Sequence, residues 1–221
     1  MPSLQETRES IESIRMVVMI SNHDLDDAEA EIGVPCEQIF TPQSRHAPKR
    51  VDAHYCIDNG AFIKFDRPSF LSLLKREEPR IKLCRFVAVP DVVGDARRTL
   101  ECFRHWSPIL SPWPLALVCQ NGQENLDIPW SEIAAIFMGG TTEWKMGNDA
   151  SSIIRAAKII GKWVHIGRVN SHGRFEHFER LGADSCDGVG LSRFPDRRQQ
   201  FLNIRNHPKL NIDFESSNHN Q

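Results

Sequence analysis

The feature that most narrows the fold of this chain is a recurrence: short, β-rich apolar runs return along it with helix-compatible segments between them. The runs are MVVMI (16–20), HYCID (54–58), RFVAVPD (85–91), LALVCQ (115–120), AAIFMGG (134–140), WVHIGRV (163–169) and SCDGVG (185–190). Between them lie RPSFLSLLKREE, GDARRTLECFRHW, NDASSIIRAAKIIG and HGRFEHFERLG, whose apolar residues fall at helical spacing. Such alternation means parallel strands joined by crossover helices. Nearly all the runs are continuously apolar, so the sheet is covered on both faces. About seven such units over roughly 200 residues predict an α/β chain folded as a compact (β/α)8-type TIM barrel, with some irregularity, in preference to an open doubly wound sheet.

The single catalytic barrel is expected over residues 1–205, followed by a polar tail over 206–221. Residues 22–53 read as an excursion between the first two strands, acidic first (DLDDAEAE) and basic later. At 221 residues, 40% hydrophobic and 25% charged, the chain can bury one sizeable core. A net charge of -2 excludes a chain-wide basic character and leaves local patches: APKR (47–50), Arg97 with Arg98, and RFPDRRQQ (193–200), each of which also reads as plain surface charge. Cysteines at 36, 56, 84, 102, 119 and 186 form no CxxC pair and no paired Cys/His spacing, so reduced, mostly buried thiols without a metal are expected. There is no apolar leader and no run of ~18 apolar residues, which predicts a cytoplasmic protein with no membrane partner.

In a parallel β/α architecture the ligand site forms at the carboxyl ends of the strands. Read in order, those ends carry Asp58, Asp91, Gln120, Gly139 with Gly140, the HIGR of 165–168, and Asp187. Taken singly, Asp58 reads as a turn former before Gly60, Asp91 as a cap of the next helix, and Gln120 as the start of a turn. Together they bring three carboxylates and a carboxamide to one rim. Such a set suits a purine-like base: a carboxylate accepts from N1–H and the exocyclic amine of a guanine edge, and a carboxamide donates to O6. A further carboxylate can attack C1′ of a nucleoside, where the transition state is oxocarbenium-like. His165, His172 and His177 are too irregularly spaced for a metal site and read as solvated or capping. Trp106, Trp113, Trp130, Trp144 and Trp163 read as core or rim packing, with Trp144 a candidate for the pocket border.

In order and spacing, these residues resemble the tRNA-guanine transglycosylase superfamily, which includes short DNA enzymes that insert 7-deazaguanines. The family's D-S-G-G/A-F-Q is similar to DNGAFIK, its strand-ending base-recognition aspartate to the Asp of VAVPDVV, its G-I-V-Q-G-G to LALVCQNG, and its I-G-G-L to IFMGGTT. The nucleophile motif G-x-D-x-F-D-C-V-x-P-T-R aligns without a gap on GADSCDGVGLSR. The likeness covers roughly residues 54–193. The sequence departs from the pattern at Asn59 (usually Ser), at Ile63 and Lys64 (usually a Gln), and at Gly188 and Leu191 (Cys and Pro). Nothing in it matches the Cys/Cys/Cys/His zinc subdomain of the tRNA enzymes, which favours DNA over tRNA and the short phage- or genomic-island-type enzymes.

The resemblance implies a base-exchange glycosyltransferase that replaces guanine in DNA with a 7-deazaguanine such as preQ0, without a cofactor. Asp187 would be the nucleophile that forms a covalent glycosyl intermediate, Asp184 its structural partner, and Asp58 the general acid/base. Asp91, Gln120, Gly139 and Gly140 would hold the flipped base. Arg168, Arg193, Arg197 and Arg198 stand where phosphate contacts are expected. Three other readings remain at this stage: a hydrolytic DNA glycosylase using the same residues, a non-catalytic nucleic-acid or base-binding barrel, and a small-molecule barrel enzyme with a phosphate site at FMGG.

Overall fold

The computed structural model of the protein describes residues 16–21, 24–44, 47–48 and 50–188. Eight strands form it: β1 (Val17–Ile20), β2 (Cys36–Phe40), β3 (Tyr55–Ile57), β4 (Cys84–Ala88), β5 (Leu115–Cys119), β6 (Ala135–Met138), β7 (Trp163–Ile166) and β8 (Ser185–Asp187). Each pairs in parallel with the next, and β8 pairs with β1, so the sheet closes into a barrel with no free edge. The protein is a (β/α)8-type TIM barrel.

Among the described residues six α-helices connect the strands: α1 (Leu25–Ile32), α2 (Arg67–Glu77), α3 (Ala96–Trp106), α4 (Thr142–Lys145), α5 (Asn148–Ile159) and α6 (His172–Arg180). The starts of α1 to α4 are set by side-chain caps that satisfy otherwise orphaned N–H groups. Asp24 accepts from the N–H of Asp26 at 2.9 Å, Asp66 from Ser69 at 3.3 Å, and Asp95 from Arg98 at 3.0 Å. The expected irregularity is real. Among the described residues, β2 reaches β3 without a helix, and β5 reaches β6 through two short 3-10 turns.

The described residues of 22–53 are not an excursion but carry a helix and a strand of the barrel, which corrects the sequence reading. DLDDAEAEI buries Leu25, Ala28 and Ile32, a helical stripe hidden by the acidic residues between them, and Gly33 ends it at φ 75. CEQIF supplies the missing strand. Glu37 and Gln38 interrupt its apolar run, yet Glu37 is paired with Arg85 at 2.7 Å and Gln38 is buried. Local polarity concealed a strand that tertiary pairing makes affordable. The boundary expected at 205 and the tail over 206–221 lie outside the described residues.

Apolar side chains fall into two groups. One lies between strands and helices; the other fills the barrel interior, where Met19, Ile39 and Cys56 meet Phe86 and Phe137. Ala88, Ala116 and Ala135 are small residues in that interior, leaving room for the aromatic rings. None of the described helices is long and apolar enough to cross a membrane.

Candidate active site

Parallel strands with a side-chain period of two turn W-x-H on β7 and S-x-D on β8 into one ladder. Register places His165 beside Ser185. Within the ladder the Trp163 indole donates to Ser185 Oγ at 2.8 Å, His165 Nδ1 lies 2.9 Å from the same oxygen, and His165 Nε2 lies 3.3 Å from Asp187 Oδ2. The other Asp187 oxygen accepts the backbone N–H of Arg168 at 2.6 Å. Phe137 and Phe86 flank the imidazole, with centroids at 4.5 and 5.2 Å. Both oxygens of Asp187 are thus held before any ligand arrives. Asp184, two residues after Gly182, takes Lys158 Nζ at 2.6 Å and the Val164 N–H at 2.8 Å, tying the start of β8 to α5 and β7.

A second polar cluster joins the ends of β3, β4 and β5. Asp91 accepts Asn59 Nδ2 at 2.9 Å on one oxygen and Gln120 Nε2 at 2.7 Å on the other. Gln120 Oε1 in turn accepts the Gly94 N–H at 3.0 Å, which orients the amide. Asn59 also donates to the Val89 carbonyl at 2.9 Å and accepts from Ala61 at 2.6 Å. Asp95, not Asp91, caps α3, so the Asp91 carboxylate is left to the site. Asp58 does accept the Gly60 N–H at 3.1 Å, and the Gln120 carbonyl does begin a turn at Gln123, so both local readings hold.

Both clusters face one cavity of about 500 Å³ lined by Asp58, Asp91, Gln120, Gly139, Arg168 and Asp187, with Val118 and Phe137 among its apolar walls. That is the size range of small-ligand sites. Gly139 is there because a Cβ would come within 2.7 Å of Val118 and 3.0 Å of Gln120. Gly139 and Gly140, expected to hold the base, have both backbone N–H groups on the Cys119 carbonyl, at 2.9 and 3.2 Å. Their carbonyls instead receive the Arg168 guanidinium, which also lies over the Phe62 ring at 4.5 Å. Arg168 is thus a wall of the cavity. Arg193, Arg197 and Arg198 lie outside the described residues.

Burial raises Asp58 to about 7, opposed by the Gly60 hydrogen bond and reinforced by the charges of Asp187 and Asp91. Burial also raises Asp91 above the usual carboxylate range, against the bonds from Asn59 and Gln120. On Asp187 burial pushes upward too. There, the hydrogen bond with His165, the Arg168 N–H and the Lys145 charge outweigh it and hold the carboxyl below its ordinary range. Lys145, buried at the end of α4 and donating to the Gly167 carbonyl, is itself lowered to about 8 by burial and by Arg168.

Sequence reasoning placed Asp58, Asp91, Gln120 and Asp187 together, and the fold does bring them to one cavity. It misassigned His165, which is fully buried in the ladder rather than solvated, because the imidazole has partners on both sides. It gave Ser185 and Lys145 no role. The parity shared by W-x-H and S-x-D was the available signal. Trp144 backs Gly140 and donates to Glu124 at 2.9 Å, and Trp163 lies in the ladder. Among the described residues no His, Cys, Asp and Glu cluster is arranged to hold a metal.

No protein-family model and no curated protein matches the chain. Among solved structures, it is similar to the Amycolatopsis orientalis BexX/CysO complex at 15% identity and TM-score 0.49, covering 86% of this chain and 88% of that one. It is also similar to one described as "Native KDPGal structure", at 12% identity and TM-score 0.42, covering 86% and 93%. The fold assignment rests on the strand pairing itself.

Proposed function

We propose that the protein is a base-exchange glycosyltransferase acting on guanine in DNA through a covalent Asp187 intermediate. The observation that carries this reading is a pair of carboxylates on one cavity with proton affinities driven apart: Asp187 held ionised and Asp58 poised near neutrality. An ionised carboxylate is the nucleophile that such chemistry requires, and a group titrating near 7 can both give and take a proton.

In the forward half-reaction an Asp187 oxygen bonds to C1′ as the C1′–N9 bond breaks. The electron pair leaves with the purine, which takes the Asp58 proton. In the second half Asp58 takes the ring N–H proton of the incoming 7-deazaguanine, whose nitrogen bonds to C1′ and expels the Asp187 carboxylate. One proton is given and one recovered. Asp91 and the second N–H of Gln120 supply the acceptor and donor for a guanine edge, already oriented by Asn59 and Gly94.

The test is duplex DNA carrying labelled guanine, and separately tRNA, incubated with and without preQ0. Release from DNA only with preQ0, and none from Asp187→Ala, is the expected result. Release without an incoming base identifies a hydrolytic glycosylase instead, and release from neither polymer overturns the reading.

A further inference from the structure

We infer that Trp163, Ser185 and His165 form a directional hydrogen-bond chain that fixes His165 as the Nε2–H tautomer donating to Asp187. Trp163 and Ser185 are then positioning residues for the carboxylate. The direction follows from the donor inventory. An indole N–H only donates, so at 2.8 Å Ser185 Oγ accepts it. The hydroxyl keeps one proton to give, and His165 Nδ1 lies 2.9 Å away to take it. That makes Nδ1 the acceptor and leaves the proton of a neutral imidazole on Nε2, aimed at Asp187 Oδ2 at 3.3 Å. The opposite tautomer would set a bare Nε2 lone pair against a carboxylate. Ser185 and His165 are fully buried, so an unsatisfied arrangement there is heavily disfavoured.

The chain is itself anchored at its far end. Arg85 lies over the Trp163 ring, 4.6 Å from its centroid, and pairs with Glu37 at 2.7 Å, fixing the indole from β4 and β2. Phe86 and Phe137 face the imidazole from β4 and β6, while the Asp187 carboxylate also feels Lys145 from α4 and Asp58 from the end of β3.

Nitrogen NMR of ring-labelled histidine in the full chain tests this, with the His165→Gln spectrum assigning the resonances. At pH 7 His165 should show protonated Nε2 and unprotonated Nδ1. Ser185→Ala should bring a population protonated at Nδ1, Trp163→Phe a smaller one, and Ser185→Thr should restore the wild-type pattern. A wild-type Nδ1 that is protonated, or a spectrum unchanged in Ser185→Ala, overturns the inference. Its catalytic consequence rests on the base-exchange reading: Ser185→Ala should slow guanine displacement about tenfold at unchanged KM, the effect of one lost hydrogen bond, and Ser185→Thr should recover it. The expected tautomer with no displacement by wild type condemns the exchange reading alone. Displacement with a protonated Nδ1 condemns the chain alone.

Discussion

Asp187 accepts the Arg168 backbone N–H at 2.6 Å while Asp58, on the same cavity, accepts that of Gly60 at 3.1 Å, and the two carboxyls are driven to opposite sides of their ordinary range. The difference lies in their neighbours. Asp187 has an imidazole and a buried ammonium nearby; Asp58 has two other carboxylates.

Asp58 leaves a mark on stability that is independent of any substrate. Its folded value of about 7 stands above the ordinary 3.8, so its contribution is fully present below about 4 and is lost as pH rises through 7. Asp58→Asn keeps an acceptor for Gly60 but removes the titration. Thermal unfolding from pH 5 to 8 should therefore fall less steeply for the variant, while guanine displacement drops about 10²- to 10⁴-fold.

Arg168 stands at φ 62, a left-handed conformation that burdens a residue with a Cβ by about 1–2 kcal/mol. Arg168→Gly relieves that strain as it removes the guanidinium from Gly139 and Gly140, whereas Arg168→Ala only removes the guanidinium. Denaturant unfolding should find the glycine variant about 1 kcal/mol more stable than the alanine variant. Both should lose activity.

The four strand-end residues were legible because a parallel β/α chain puts all its carboxyl ends on one rim, whichever side chains stand there. His165 and Ser185 were not, since their partnership depends on the register of β7 against β8, which no local pattern specifies. Asn59 looked like a mere departure from a family pattern; its meaning is a contact with Asp91, thirty-two residues away. Strand β2 was hidden because Glu37 and Gln38 are accommodated by tertiary partners and burial rather than by sequence pattern.

Gly188 shows the same point beside Asp187. A Cβ there would collide with the Val169 carbonyl and come within 2.9 Å of Asn170, so the cysteine of the resembling motif has no room. Gly188→Cys should destabilise the protein by about 1–3 kcal/mol and disturb the Val169 N–H bond to the Asp187 carbonyl, read by denaturant midpoint and by amide exchange at Val169.

Gln120→Glu places a second carboxylate against Asp91, where an amide N–H now stands at 2.7 Å. Loss of that donor and the added repulsion should raise KM for the incoming deazaguanine about 10- to 100-fold, more than they lower kcat, in steady-state exchange assays.

The most direct measurement is a rapid acid quench of wild type mixed with guanine-containing duplex DNA, followed by a denaturing gel and peptide mass spectrometry. The account predicts a covalent protein–DNA adduct on Asp187 that is absent from Asp187→Asn and is chased by preQ0. Guanine displacement that persists in Asp187→Asn, or an adduct on another residue, would contradict it.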